Sequence, residues 1–231
     1  MTDNSLTKKA YSLIKEEIIT CSILPGEQIS QAQFVENYGI GLSPVRSALQ
    51  MLVQEGFLQP IPRFGYIVSS ITLSDVQELF ELREVLEVSA ARFAAERGSL
   101  EKLNEIANGA TFTYVYQDRE SYTEFLNQND SFHRSIAELA GNQRLTEAIT
   151  KVLGELKRVF HLGLNLRDSA EEMRDEHMAL VQALLARDPD QAESIIRSQV
   201  VQSKGRVVEA LVSKVFGKQS KSLSQKITLN K

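Results

Sequence analysis

Five polar side chains stand on helical stripes that are otherwise apolar. Arg83 lies seven residues after Val76 and seven before Ala90, on a stripe through Leu79, Phe80, Leu86, Phe93 and Ala94. Asn129 and His133 interrupt Phe125, Leu126, Phe132, Ile136 and Leu139; four residues apart, they project from one face and can grip one ion. His177 sits between Met173 and Leu180/Leu184, and Gln199 follows Ala192, Ile195 and Ile196 and precedes Val207. A guanidinium turned toward a core is costly unless an anion meets it. Two sources of that anion stay open: a carboxylate of the chain itself, Glu87 or Glu84, or the carboxylate of a ligand. Four helices that each turn a polar group inward point to a polar cavity in a helical bundle. His161 falls beside the stripe Leu145, Ile149, Val152, Leu156, Phe160 and reads as a boundary or surface residue. Arg134 and Arg197 flank inward positions and read as solvated or ion-paired.

A second constellation lies near the N-terminus. Ser43-Pro44 opens a helix, Ser43 as cap and Pro44 at the first helical position, which places Ser43 and Arg46 on one first turn. A helix N-terminus faces phosphate readily, and Arg46 can donate two bonds to a guanine edge or clamp a phosphate. Downstream, Arg63 sits at a hairpin tip beside Gly65, whose missing side chain allows close approach.

The elements that must hold these groups are legible. Leu6 to Thr20 reads as a helix, Leu24-Pro25-Gly26 as a turn, and Gln31 to Tyr38 as a helix capped by Ser30. Gly39-Ile40-Gly41 breaks it, and the Ser43-Pro44 helix runs to about Gln54, ended by Gly56. Phe57 to Ser69 reads as a two-stranded hairpin with its tip near Arg63-Phe64-Gly65. Three helices with a tight turn, followed by a hairpin, make a winged helix-turn-helix. From Ile71 to Asp188 there is no proline, and the apolar residues recur at helical spacing. Ser74-Asp75-Val76-Gln77 is a capping box opening a helix to about Arg97; further helices run from about Tyr122 to Ala140, from Ser169 to Arg187, and onward from Asp188-Pro189. The expected architecture is mostly α. A DNA-binding domain spans 1–70, a helical effector-binding and dimerisation bundle 71–212, and a basic, disordered tail 213–231 carries five lysines and no acid.

Composition narrows the classes. The chain has 231 residues, 42% hydrophobic and 24% charged, with a net charge of −4. It can bury a sizeable core, and at a pI near 5.6 it does not coat nucleic acid by bulk charge. Residues 1–70 hold five basic side chains (Lys8, Lys9, Lys15, Arg46, Arg63) against six acidic ones. Counterion release per protomer is therefore small, and a homodimer reading two half-sites of double-stranded DNA is expected. Cys21 is the single cysteine, so neither an internal disulfide nor a Cys-rich zinc site is available. No apolar run approaches the ~18 residues of a membrane span, and Met1-Thr2-Asp3-Asn4-Ser5 lacks a secretory pattern, so a cytoplasmic protein is expected. No HExxH, nucleophile elbow or Gly-rich phosphate loop occurs, and an enzyme is not expected.

The strings Ile23-Leu24-Pro25-Gly26-Glu27-Gln28-Ile29, Ser43-Pro44-Val45-Arg46-Ser47-Ala48-Leu49, Glu55-Gly56-Phe57-Leu58 and Pro62-Arg63-Phe64-Gly65-Tyr66-Ile67-Val68 resemble the DNA-binding domain of GntR-family transcription regulators. Two departures stand out. Gly41-Leu42 replaces the usual Ser-Arg, which predicts altered base preference or reduced affinity, and Phe64 replaces the Arg often found before the wing glycine. Leu82-Arg83-Glu84-Val85-Leu86-Glu87, Phe132-His133-Arg134-Ser135-Ile136-Ala137-Glu138-Leu139-Ala140-Gly141-Asn142 and Glu176-His177 resemble the FCD ligand-binding domain that follows it. The resemblance implies a ligand-responsive regulator, a repressor, whose effector is a small carboxylate held by Arg83, His133 and His177. Metal-binding members use Asp-x-x-x-His and one His on each of two later helices; the matching positions here are Asn129, His133, His177 and Gln199. Two imidazoles suit a divalent transition metal such as zinc or nickel, whereas Asn and Gln are uncharged, weak oxygen donors. Asp130, one residue off, is rotated about 100° from the face. A constitutive DNA-binding regulator without a small-molecule response and, further off, a metal-dependent enzyme on His133 and His177 are the competing functions.

Overall fold

Helix signals and turn residues divide the chain where the proline-rich region ends. The computed structural model describes residues 3–164 and 168–228, the side chains at 3, 119, 210 and 213–228 excepted. Two units result, Met1–Thr72 and Leu73–Lys231.

In the first unit, α1 (Asp3–Ile19) buries Ala10, Ile14 and Ile18 against α3. Gly26, at φ 83°, turns the chain into β1 (Gln28–Ile29), and Ser30 then caps α2 (Gln31–Tyr38) by accepting from the Gln33 amide at 3.3 Å. Gly39, left-handed at φ 61°, ends α2. Helix α3 (Leu42–Gln54) begins two residues before the expected proline: the Gly41 carbonyl accepts from Val45, so Gly41 is the cap, with no side-chain bond, and Ser43 lies inside the first turn. β2 (Leu58–Ile61) and β3 (Gly65–Val68) form the hairpin, and the antiparallel sheet runs β1-β3-β2 with Ile29 opposite Tyr66. A strand of two residues shows no period, which is why β1 is not legible in the sequence.

The second unit is helical: α4 (Leu73–Arg97), α5 (Leu100–Asn108), α6 (Arg119–Leu139), α7 (Gln143–Leu164), α8 (Ala170–Leu185) and α9 (Pro189–Thr228). Ser74 does not cap α4; it lies within the helix and donates to the Glu78 carboxylate. Helix α5, capped by Ser99, was not expected, although Leu100, Leu103 and Ile106 carry its spacing. Alanines 90, 91, 94 and 95 make α4 slim, so that it packs against α6, α7, α8 and α9 together and forms the axis of the unit. Around it close Phe132, Ile136, Leu180, Leu184 and Ile196. Helix α9 runs through the basic stretch to Thr228, with no proline after 189 to stop it; residues 229–231 lie outside the described residues.

Candidate functional site

In the helical unit the five polar residues are all buried. Arg83 and Glu87 are one helical turn apart on α4, and the Arg83 Nε donates to Glu87 Oε1 at 2.7 Å. The other carboxylate oxygen lies 2.9 Å from His133 Nδ1 on α6, and His133 Nε2 lies 3.4 Å from the Arg83 guanidinium. Of the two carboxylates left open by the sequence, Glu87 is thus the one that meets Arg83; Glu84 pairs instead with the exposed Arg197. Burial pushes the Glu87 carboxyl up, but Arg83 and His133 outweigh it and hold the group at about 2.

His177 of α8 is 0% exposed, and among the described residues neither ring nitrogen has a hydrogen-bond partner. Its ring packs between aromatic neighbours, Phe132 at 4.6 Å and Phe112 at 4.8 Å between centres, with His133 at 5.5 Å. Burial first, then the His133 and Arg83 charges, drive its pKa well below 6.5, so it is a neutral imidazole. Gln199 of α9 likewise leaves its side-chain oxygen without a donor. An imidazole with one donor and one acceptor, both unused, is the chemically unfinished part of this interior. A nearby void between Leu126, Phe160, Met173 and Ser203 is about 20 Å³, room for one water.

Two residues alter the picture drawn from the sequence. His161, expected at the boundary, is buried, because α7 is covered by α4, α6 and α9 rather than along one stripe. Phe112 was not foreseen; it sits on the connection between α5 and α6, where no periodicity marks it, and lies across His177. Asp130 points away toward Lys157, 3.4 Å distant.

The donor set does not fit a resident transition metal. Both His133 nitrogens face Glu87 and Arg83, a fixed cation stands beside one of them, and Asn129 and Gln199 bring no charge. Among the described residues no group of three or more His, Cys, Asp or Glu side chains is placed to hold an ion.

In the first unit Ser43, Arg46 and Arg63 are exposed, as a DNA-facing surface requires, whereas Pro44 is buried and anchors the start of α3 instead of facing solvent. At the wing, the Phe64 amide bonds back to the Ile61 carbonyl at 3.1 Å, with Pro62 and Arg63 at the centre of the turn and Arg63 at φ 69°. Gly65 follows at φ 96°, so close to β1 that a Cβ there would stand 2.5 Å from the Ile29 carbonyl oxygen. Lys15 donates to Glu55 at 2.7 Å and to Tyr11 at 2.6 Å, clasping α1 to the end of α3.

Comparison with known proteins agrees with both halves. Residues 6–68 match the model described as bacterial regulatory proteins, gntR family, and residues 78–201 match the FCD domain. The chain is 23% identical over 188 residues to the HTH-type transcriptional repressor RspR of Escherichia coli (strain K12), covering 81% of this chain and 82% of that one. It is 24% identical over 209 residues to the HTH-type transcriptional repressor GlaR of the same organism, covering 87% and 94%. The solved structure of E. coli McbR/YncC superposes with a TM-score of 0.68 at 22% identity, over 90% of this chain and 99% of that one, a likeness of fold. No helix among the described residues is long and apolar enough to cross a membrane. With a winged helix in front and an FCD bundle behind, the chain belongs to the GntR family of transcriptional regulators and is not an enzyme.

Proposed function

We propose that the protein is a repressor that binds its operator as a homodimer and releases it when a small organic acid enters the helical unit. The observation that carries the sensing half is His177, fully buried with two unused nitrogens beside Arg83, Glu87 and His133. Leaving such a group unpaired costs stability that a guest with a hydroxyl or carboxyl group recovers. An acid would share Arg83 with Glu87 and take a bond from the His177 or His133 ring. Ser43, Arg46, Arg63 and Gly65 are the proposed DNA-facing set. Leu82 and Val85 on α4 and Val201 on α9 are exposed apolar residues of the helical unit and the proposed seam between protomers.

The Arg83–Glu87–His133 cluster also favours a second reading, a regulator that binds DNA without a small-molecule response, because the inner carboxylate already answers the guanidinium. Gel shifts on the upstream intergenic DNA with and without candidate acids test the first reading. Thermal shifts of wild type, Arg83→Ala and His133→Ala/His177→Ala separate the two. Stabilisation of the wild type alone, with release of DNA, supports sensing; DNA binding indifferent to every acid leaves the constitutive reading.

A further inference from the structure

We propose that this winged helix reads DNA partly through two exposed apolar side chains, Leu42 against thymine methyl groups in the major groove and Phe64 against the floor of the minor groove. The proposal rests on the DNA-binding reading of the first unit. Among the described residues of that unit, Leu42 and Phe64 are the large apolar side chains most open to solvent, 57% and 71% exposed. Each stands on an element that the motif turns to DNA: Leu42 is the first residue of α3, in the turn a helix-turn-helix sets against base edges, and Phe64 is at the tip of the β2–β3 hairpin.

Charge alone leaves that surface underprovided. With Lys15 paired to Glu55, the remaining lysines and arginines of residues 1–70 are Lys8, Lys9, Arg46 and Arg63. Affinity then needs a contribution that does not come from cations, and apolar contact supplies one: leucine methyls pack on the thymine C5 methyl, and phenylalanine is a wedge suited to the minor groove. The wing holds its backbone in one turn. Pro62 fixes one central position of the turn, Arg63 accepts a left-handed conformation that glycine would adopt more easily, and Gly65 is pinned against β1. A tip with so constrained a backbone loses little main-chain freedom on binding. The preferred occupant is therefore A·T-rich duplex, read by methyl groups and groove shape.

The full-length chain is used to enrich duplexes from a random-sequence library. Affinities of wild type, Leu42→Ala, Phe64→Ala and Arg46→Ala for the enriched duplex are then measured across salt concentrations. Each thymine is also replaced in turn by uracil, which lacks only the methyl. Leu42→Ala and Phe64→Ala should each weaken binding roughly fivefold or more with the salt slope unchanged, while Arg46→Ala, which takes one cation from each protomer of the dimer, should flatten the slope by about two. At one position uracil should cost the wild type about fourfold, the effect of burying one methyl, and cost Leu42→Ala nothing further. Matching melting curves confirm that these exposed substitutions leave the fold intact. Wild-type affinity in Leu42→Ala, or indifference to uracil, overturns the major-groove half, and wild-type affinity in Phe64→Ala overturns the wing half. Failure of the wild type to enrich any duplex overturns the DNA reading itself.

Discussion

Glu87 keeps its charge in the buried interior because Arg83 and His133 both face it, and the consequence appears on acidification. Its folded pKa of about 2 lies below its ordinary 4.5, so the unfolded chain takes up the proton first and the stability gained at neutral pH is lost as pH falls from 4.5 toward 2. His177 acts in a higher window. Its folded pKa is well below 6.5, so as pH falls past 6.5 the unfolded chain binds a proton that the folded chain refuses, and stability declines. Urea midpoints between pH 7.5 and 5 should therefore fall in the wild type and stay flatter in His177→Phe; parallel slopes would remove His177 as the titrating group. At the same scale, Arg46→Ala should cost about 1–3 kcal/mol per half-site in operator binding. Zinc or nickel should leave the melting temperature unmoved, whereas an ion held at a hundred times its Kd would add about 2.7 kcal/mol. Stabilisation by metal that disappears in His133→Ala/His177→Ala would show that the imidazoles turn toward an ion after all.

Elements differ in how far a one-dimensional reading reaches them. The helices α2 and α9 announce themselves by caps and apolar spacing, α6 and α8 by spacing alone, and the inward turn of Arg83, Asn129, His133, His177 and Gln199 follows from the same spacing because each helix buries one stripe. Spacing fails for α7, which is enclosed on several sides and so buries His161 as well. It also fails for β1, two residues long, and for Phe112, whose place depends on a connection closing over a distant helix. The exchange of Glu87 between Arg83 and His133 is half legible, since four residues separate the first pair but fifty separate Arg83 from His133. The wing supplies a prediction at this scale. Gly65→Ala would drive a methyl into the Ile29 carbonyl and force an L residue to φ 96°, so β3 must part from β1. A loss of about 2 kcal/mol or more in stability is expected, with operator binding lost alongside. Unchanged melting and binding would mean that the β1–β3 contact is dispensable.

Across the whole molecule, two units hold separate hydrophobic clusters, the first matching the gntR-family model and the second the FCD domain. Leu82 and Val85 carry the proposed seam, and glutamate at either should leave a monomer in sedimentation velocity that binds single half-sites and full operators alike. A dimer persisting in both variants would place the seam elsewhere. Phe112 belongs to a connection rather than a helix and lies across His177; if the proposed acid enters on that side, it must wait for the ring to swing aside. Stopped-flow association would then rise with concentration and level off at the frequency of those excursions, and trimming the ring in Phe112→Ala would lift that ceiling.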